Sequence, residues 1–132
     1  MKHEELTSKI LECCFEVSNE MGIGFVESIY ERSLTIALTQ KGVDVRAQVP
    51  LKVQFRGIIV GNFIADLIVS NKVLVELKAV SRVAPEHKAQ TINYLNATSI
   101  EVGLLVNFGT PRLEYYRMIP SRDYPADPVH PV

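Results

Sequence analysis

The sequence predicts an α/β fold whose elements run helix, three strands, helix, strand. Two observations carry this reading. Residues 63–79, FIADLIVSNKVLVELKA, hold two runs of β-branched and long apolar residues parted by Ser70-Asn71-Lys72, the pattern of a β-hairpin. Upstream of it, apolar residues recur at intervals of three and four, the spacing of helices that bury one side.

In chain order, Leu6, Ile10, Cys13, Val17 and Met21 predict a helix over 4–21, stopped by Gly22-Ile23-Gly24. Ile29, Leu34, Ala37 and Leu38 predict a second over 26–40, closed by Lys41-Gly42, with Glu27 in its first turn. Every odd position from Val43 to Phe55 is apolar, which predicts a half-buried strand bent at Pro50. Arg56-Gly57 turns the chain into the strand carrying Asp66. That strand and the next are expected to be buried on both faces. Pro85 suits the first position of a helix reaching about Ala97, with His87, Gln90 and Tyr94 on one side. Residues 101–108 and 113–119 read as further strands. An exposed edge strand after Ile119 would support a homodimer. Pro120, Pro125, Pro128 and Pro131 leave little room for regular structure beyond that point.

At 132 residues the chain is sized for one domain with a single core. Its 47% apolar and 22% charged residues are those of an ordinary globular protein. A formal charge of −1 means that any nucleic-acid binding must come from a local patch or from bound metal. No apolar run approaches a membrane span, and the start MKHEELTSK lacks a signal-peptide core, so a cytoplasmic protein is expected. Cys13 and Cys14 are adjacent and read as reduced and buried, without zinc spacing.

The chemistry lies in the charges that interrupt the hairpin. An odd-numbered loop centred on Asn71 sets Asp66 opposite Glu76, Cα atoms roughly 4.5–5.5 Å apart. Lys78 then joins them on the same side. A two-residue loop would send the two acids to opposite faces. Their neighbours on that face, Ile64, Ile68, Leu74 and Val80, are apolar. Two carboxylates side by side on such ground repel unless one protonates or a cation joins them. Lys78 neutralises one; a hard divalent ion, Mg²⁺ or Mn²⁺, would compensate for the second. A partly solvated acid–lysine pair at a sheet edge is the plainer alternative.

With an acid on the second strand and Glu76-Leu77-Lys78 on the third, the chain resembles the PD-(D/E)XK nuclease superfamily. Ala65 stands where the motif's name has proline. Gln90-Thr91-Ile92-Asn93-Tyr94 is similar to the Q-x-x-x-Y element of the RecB-like branch. Gly24-Phe25-Val26-Glu27-Ser28-Ile29-Tyr30 resembles G-x-x-E-x-x-Y, the motif naming a family of small proteins within the superfamily. The resemblance implies a restriction-endonuclease-like αβββαβ core, a mixed sheet flanked by helices, as one domain over 1–119 with a Pro-rich tail over 120–132.

The resemblance also implies a Mg²⁺- or Mn²⁺-dependent nuclease acting on DNA or RNA phosphodiesters. Asp66 and Glu76 would hold the metal, helped by the Leu77 carbonyl and by Glu27 as an outer ligand. Lys78 would orient the attacking water or offset transition-state charge, and Gln90 would fix a water or phosphate oxygen. Tyr30, His87 and Tyr94 are weaker candidates for substrate contact, and Arg82, Lys88 and Lys52 for the nucleic-acid backbone. The alternative is a non-catalytic module binding nucleic acid or protein on the same fold.

Overall fold

The structure is a computed structural model that describes residues 1–123. Two helices come first, α1 (Glu4–Met21) and α2 (Glu27–Gln40). Gly22 stops α1 with a left-handed φ of 72° while its amide still donates to the Ser18 carbonyl at 3.0 Å. Strands β1 (Val45–Phe55), β2 (Ile58–Val69) and β3 (Val73–Lys78) follow, then α3 (Pro85–Asn96), β4 (Val102–Asn107) and β5 (Glu114–Met118). The five strands form one sheet in the order β1-β2-β3-β4-β5. Only β3 and β4 run parallel, because α3 crosses between them, so the sheet is mixed.

Two apolar clusters lie on this sheet. Ile10, Cys13, Cys14, Val17, Tyr30, Leu34 and Leu38 of α1 and α2 pack on Leu67, Val69, Val75, Leu77, Leu104 and Val106. Leu95 of α3 packs with Val49, Ala65, Ile68, Leu74 and Met118 in a separate cluster. Helices therefore flank the sheet on both sides, the architecture of a restriction-endonuclease-like α/β fold. Cys13 and Cys14 are buried free thiols, and burial pushes both up from their ordinary range.

The turns set the register. Arg56 and Gly57 have φ of 51° and 78°, a two-residue turn with both residues left-handed, which fits the twist of the hairpin it closes. Ser70-Asn71-Lys72 is a three-residue loop between Val69 and Val73, which pair directly. Its odd length keeps Asp66 in line with Glu76, as the hairpin reading requires.

The structure departs from three expectations. β1 is left-handed at Gln48, φ 53°, and its pairing with β2 shifts register between Val53 and Gln54, whereas Pro50 pairs in register with Ile64. β2 is buried on both faces only from Leu67 to Val69, where β3 pairs with it; before Asp66 it has β1 alone, and Ile58, Ile59, Val60 and Ile64 are exposed. The reason is a change of face: Phe63 and Ala65 pack in the α3 cluster, yet beyond Asp66 it is Ile68 that does so. Ile64 is thereby turned out to solvent, away from the apolar ground expected around the acids. Third, Pro120 is buried and a 3₁₀ turn, Ser121–Asp123, follows Ile119 in place of an edge strand; β1 and β5 are the sheet's edges. Ser121 is tied to α3 by Asn96, whose Oδ1 accepts from the Ser121 amide at 2.8 Å. The remainder of the Pro-rich tail lies outside the described residues. No described helix is long and apolar enough to cross a membrane.

Candidate functional site

The paired ladder between β2 and β3 ends at Leu67 and Val75. One step further the strands part and the acids take over. Leu77 N–H donates to Asp66 Oδ2 at 2.8 Å, and Asp66 N–H donates to Glu76 Oε1 at 3.3 Å. Each carboxylate thus satisfies a backbone amide on the opposite strand, which fixes both side chains at the mouth of the hairpin. The two side chains also hydrogen-bond each other, which helps Glu76 keep its proton.

Glu76 is 9% exposed and lies on the same face of β3 as Leu74. Burial, reinforced by the Asp66 charge, pushes its carboxyl up to about 8, with Lys78 opposing weakly. Around neutral pH it is mostly protonated in the protein alone. Lys78 follows at the end of β3, half-buried, its ammonium making no hydrogen bond or ion pair with described residues.

The backbone at Lys78 is held hard. Phe108 N–H donates to the Lys78 carbonyl at 2.8 Å. The fully buried Asn107 accepts from Val80 N–H and Gly109 N–H, both at 3.0 Å, and donates to the Val80 carbonyl at 2.9 Å. A Cβ on Gly109 would sit 2.3 Å from Val80 backbone atoms, so only glycine admits this close approach.

From the other side comes α2. Tyr30, fully buried, stacks on Phe108 at 4.8 Å; its hydroxyl donates to the Gly22 carbonyl at 2.6 Å and accepts from Phe25 N–H at 3.3 Å. With Gly24 at φ 108°, this shapes the loop that delivers Glu27 to the helix start, and both hydrogen bonds of the Tyr30 hydroxyl go to that loop. Glu27 is exposed.

One turn later stands Glu31, which the sequence reading did not single out. It is half-buried, its Oε2 accepts from Gln48 Nε2 at 2.8 Å, and burial pushes its carboxyl up, with the Asp66 and Glu27 charges adding to the shift. Gln48 is the left-handed residue of β1, and by register it stands across from Asp66. A non-glycine residue at φ 53° in a strand is uncommon and points to a local constraint. Spacing alone offered one signal: Glu27 and Glu31 are four apart on one helical side.

On α3, Tyr94 stacks on Phe63 with centroids 3.7 Å apart. Burial raises its hydroxyl's pKa, and the Glu76 and Asp66 charges, within electrostatic reach, raise it further. His87 instead caps the helix, Nδ1 accepting from Ala84 N–H at 3.0 Å. Gln90 is exposed and makes no hydrogen bond with described residues. Lys88 lies over the Tyr116 ring at 4.0 Å, while Lys52 and Arg82 are exposed. Asp66 and Glu76 are in contact, Lys78 and Tyr94 lie within electrostatic reach of Glu76, and Glu31 lies within reach of Asp66, while Tyr30 hydrogen-bonds the 22–25 loop and His87 the start of α3.

Among the described residues, no three His, Cys, Asp or Glu side chains converge as a ready metal cage. The donor chemistry nevertheless fits a hard divalent cation. Asp66 and Glu76 are adjacent hard oxygen donors, and a cation between them would displace the proton that burial, the Asp66 charge and the hydrogen bond between the two side chains hold on Glu76.

A family model of the PD-(D/E)XK nuclease superfamily matches residues 4–118. The crystal structure of a protein designated SSO0001 is similar in fold, with a TM-score of 0.57 at 24% identity. The alignment covers 71% of this chain and 50% of that one, so the chain spans about half the length of that neighbour. No curated protein matches the chain.

Proposed function

The chain belongs to the PD-(D/E)XK nuclease superfamily, and from that premise we propose that it hydrolyses DNA or RNA phosphodiesters with Mg²⁺ or Mn²⁺ held by Asp66 and Glu76. The observation that carries this reading is the crossed pair of acid-to-amide hydrogen bonds at the hairpin mouth. It fixes two hard donors side by side where an unpaired charge is costly. A divalent cation bound there would neutralise a non-bridging phosphate oxygen and make a water more acidic.

The other roles belong to the chain itself. Lys78, on the next same-face position of β3, donates to the attacking water or to a phosphate oxygen as negative charge builds. The Leu77 carbonyl and Glu27 extend the oxygen donor set, and Gln90 reaches a water or phosphate from α3. Tyr94 shields the acids on the α3 side by its stack on Phe63. The G-x-x-E-x-x-Y reading of 24–30 gains a physical account: Gly24 and Tyr30 build the loop, and the loop sets Glu27.

The test is direct. Purified protein with Mn²⁺ should nick plasmid or degrade single strands, and Lys78→Ala should reduce the rate by at least about a hundredfold. Equal activity in that variant would mean a contaminant. Calorimetry showing no Mn²⁺ or Mg²⁺ binding, with nucleic-acid binding unchanged in Asp66→Asn, would replace this reading with the non-catalytic binding module.

A further inference from the structure

Two demands on β2 conflict. Phe63 and Ala65 pack against α3, so regular alternation would point the next residue, Asp66, to the opposite side of the sheet. Glu76 stands on the α3 side, two residues along β3 from Leu74, and Asp66 must share that side to meet it. It does: the two carboxyl groups hydrogen-bond each other, and Ile68, two residues beyond Asp66, is back in the α3 cluster. The alternation has therefore slipped by one between Ala65 and Asp66.

A paired strand cannot slip alone. β1 makes the same change: Val45 packs in the α1–α2 cluster, whereas Val49 and Leu51, further along the strand, pack in the α3 cluster. The register runs from Ala47 with Leu67 to Val49 with Ala65, which leaves Gln48 and Asp66 across from each other at the step. Gln48 is the residue of β1 with a positive φ, 53°. A left-handed residue inside an extended run changes the side that the following side chains take, and irregularities of this kind re-aim side chains next to active sites. That backbone is unfavourable for a glutamine, so it needs a hold. Gln48 Nε2 donates to Glu31 Oε2 at 2.8 Å, and a hydrogen bond to a carboxylate is stronger than one to a neutral acceptor. Glu31 is half-buried on α2, within electrostatic reach of Asp66.

We propose that Gln48, gripped by Glu31, is a positioning residue for the acid pair: its left-handed backbone makes the step in the β1–β2 ribbon that turns Asp66 toward Glu76. Its part in catalysis rests on the proposed use of that pair to hold a divalent cation. Gln48 acts through the strand paired with Asp66, and Glu31 acts through Gln48. The same bond joins α2, which carries Glu27, to the strand that faces Asp66.

Amide exchange of the metal-free full chain reads the position of Asp66 without any catalysis, because Leu77 N–H donates to Asp66 Oδ2. Gln48→Val, a β-branched residue that resists a left-handed φ, should speed exchange at Leu77 about tenfold while the amides of β4 exchange as in the wild type. Gln48→Gly leaves the backbone free to adopt the turn and should lose less. Glu31→Ala should act in the same direction as Gln48→Val. Glu31→Gln, which still offers Gln48 an acceptor oxygen, should restore the wild-type rate, and this pair decides the matter where Gln48→Val fails to fold. Gln54→Thr, exposed on the same strand, should exchange like the wild type at Leu77. Calorimetry should rank Mn²⁺ affinity in the same order, with binding about tenfold weaker in Gln48→Val. Wild-type exchange at Leu77 in both Gln48→Val and Glu31→Ala overturns the proposal. So does equal acceleration at Leu77 and across β4, which would mean a general loss of stability. A wild type that binds no Mn²⁺ removes the metal reading, and Leu77 exchange still decides whether Gln48 positions Asp66.

Discussion

Glu76 occupies a position where a carboxylate is disfavoured and a carboxylic acid is comfortable. Burial and the neighbouring Asp66 lift its pKa from 4.5 to about 8, the higher value belonging to the folded protein. Between those values the folded state holds a proton that the unfolded state has released. The stability that Glu76 contributes without metal is therefore full below about pH 4.5, declines through the window and is lost above about 8. The slope is at most about 1.4 kcal/mol per pH unit. Urea titrations of metal-free protein at several pH values should show this decline, and Glu76→Gln, neutral throughout, should remove most of it. A variant that keeps the full slope would place the responsible group elsewhere. The same residue shows how far a sequence reaches: parity around an odd loop was enough to set Asp66 against Glu76, because hairpin register is a local property. Glu31 and Gln48 were not legible in that way. Their meeting depends on how α2 crosses β1, which no local pattern encodes.

At the level of elements, the ends of β3 and β4 are locked by a buried asparagine. Asn107 meets Val80 through two hydrogen bonds and Gly109 through a third, while Phe108 bonds the carbonyl of Lys78 itself. The reading of 101–108 as a plain buried strand gave Asn107 no role, since a polar residue in an apolar run is interpretable only once its partner across 27 residues is known. Asn107→Ala leaves Val80 N–H, the Val80 carbonyl and Gly109 N–H short of a partner, and should cost about 2–4 kcal/mol in urea unfolding. Gly109→Ala drives a Cβ against the Val80 backbone and should cost a similar amount. Both should also move Lys78, so any nuclease rate should fall further than stability alone explains. Asn107→Ala with wild-type stability would show that water replaces the side chain in full. The burial of β2 was misread for a related reason: its apolar composition was visible, but the switch of face at Asp66 and the early end of β3 pairing were not.

For the whole molecule, the sheet separates two apolar clusters and the site sits where the sheet opens between them. Leu34 belongs to the α1–α2 side and Leu95 to the α3 side, both fully buried. Strands β2 and β3 supply residues to both: Leu67 and Val75 to one, Ile68 and Leu74 to the other. Neither cluster can dissolve while the other keeps its strands paired, so a single cooperative transition is expected despite two separate cores. Leu34→Ala and Leu95→Ala should each cost about 2–5 kcal/mol through lost burial and the cavity left behind. Because the two side chains share no contact cluster, the double variant should lose the sum to within about 0.5 kcal/mol. Denaturant curves followed by circular dichroism and by tyrosine fluorescence should coincide in every case. Separate midpoints in Leu95→Ala would mean that α3 leaves the sheet on its own, and Tyr94 would then leave the acids without unfolding the rest.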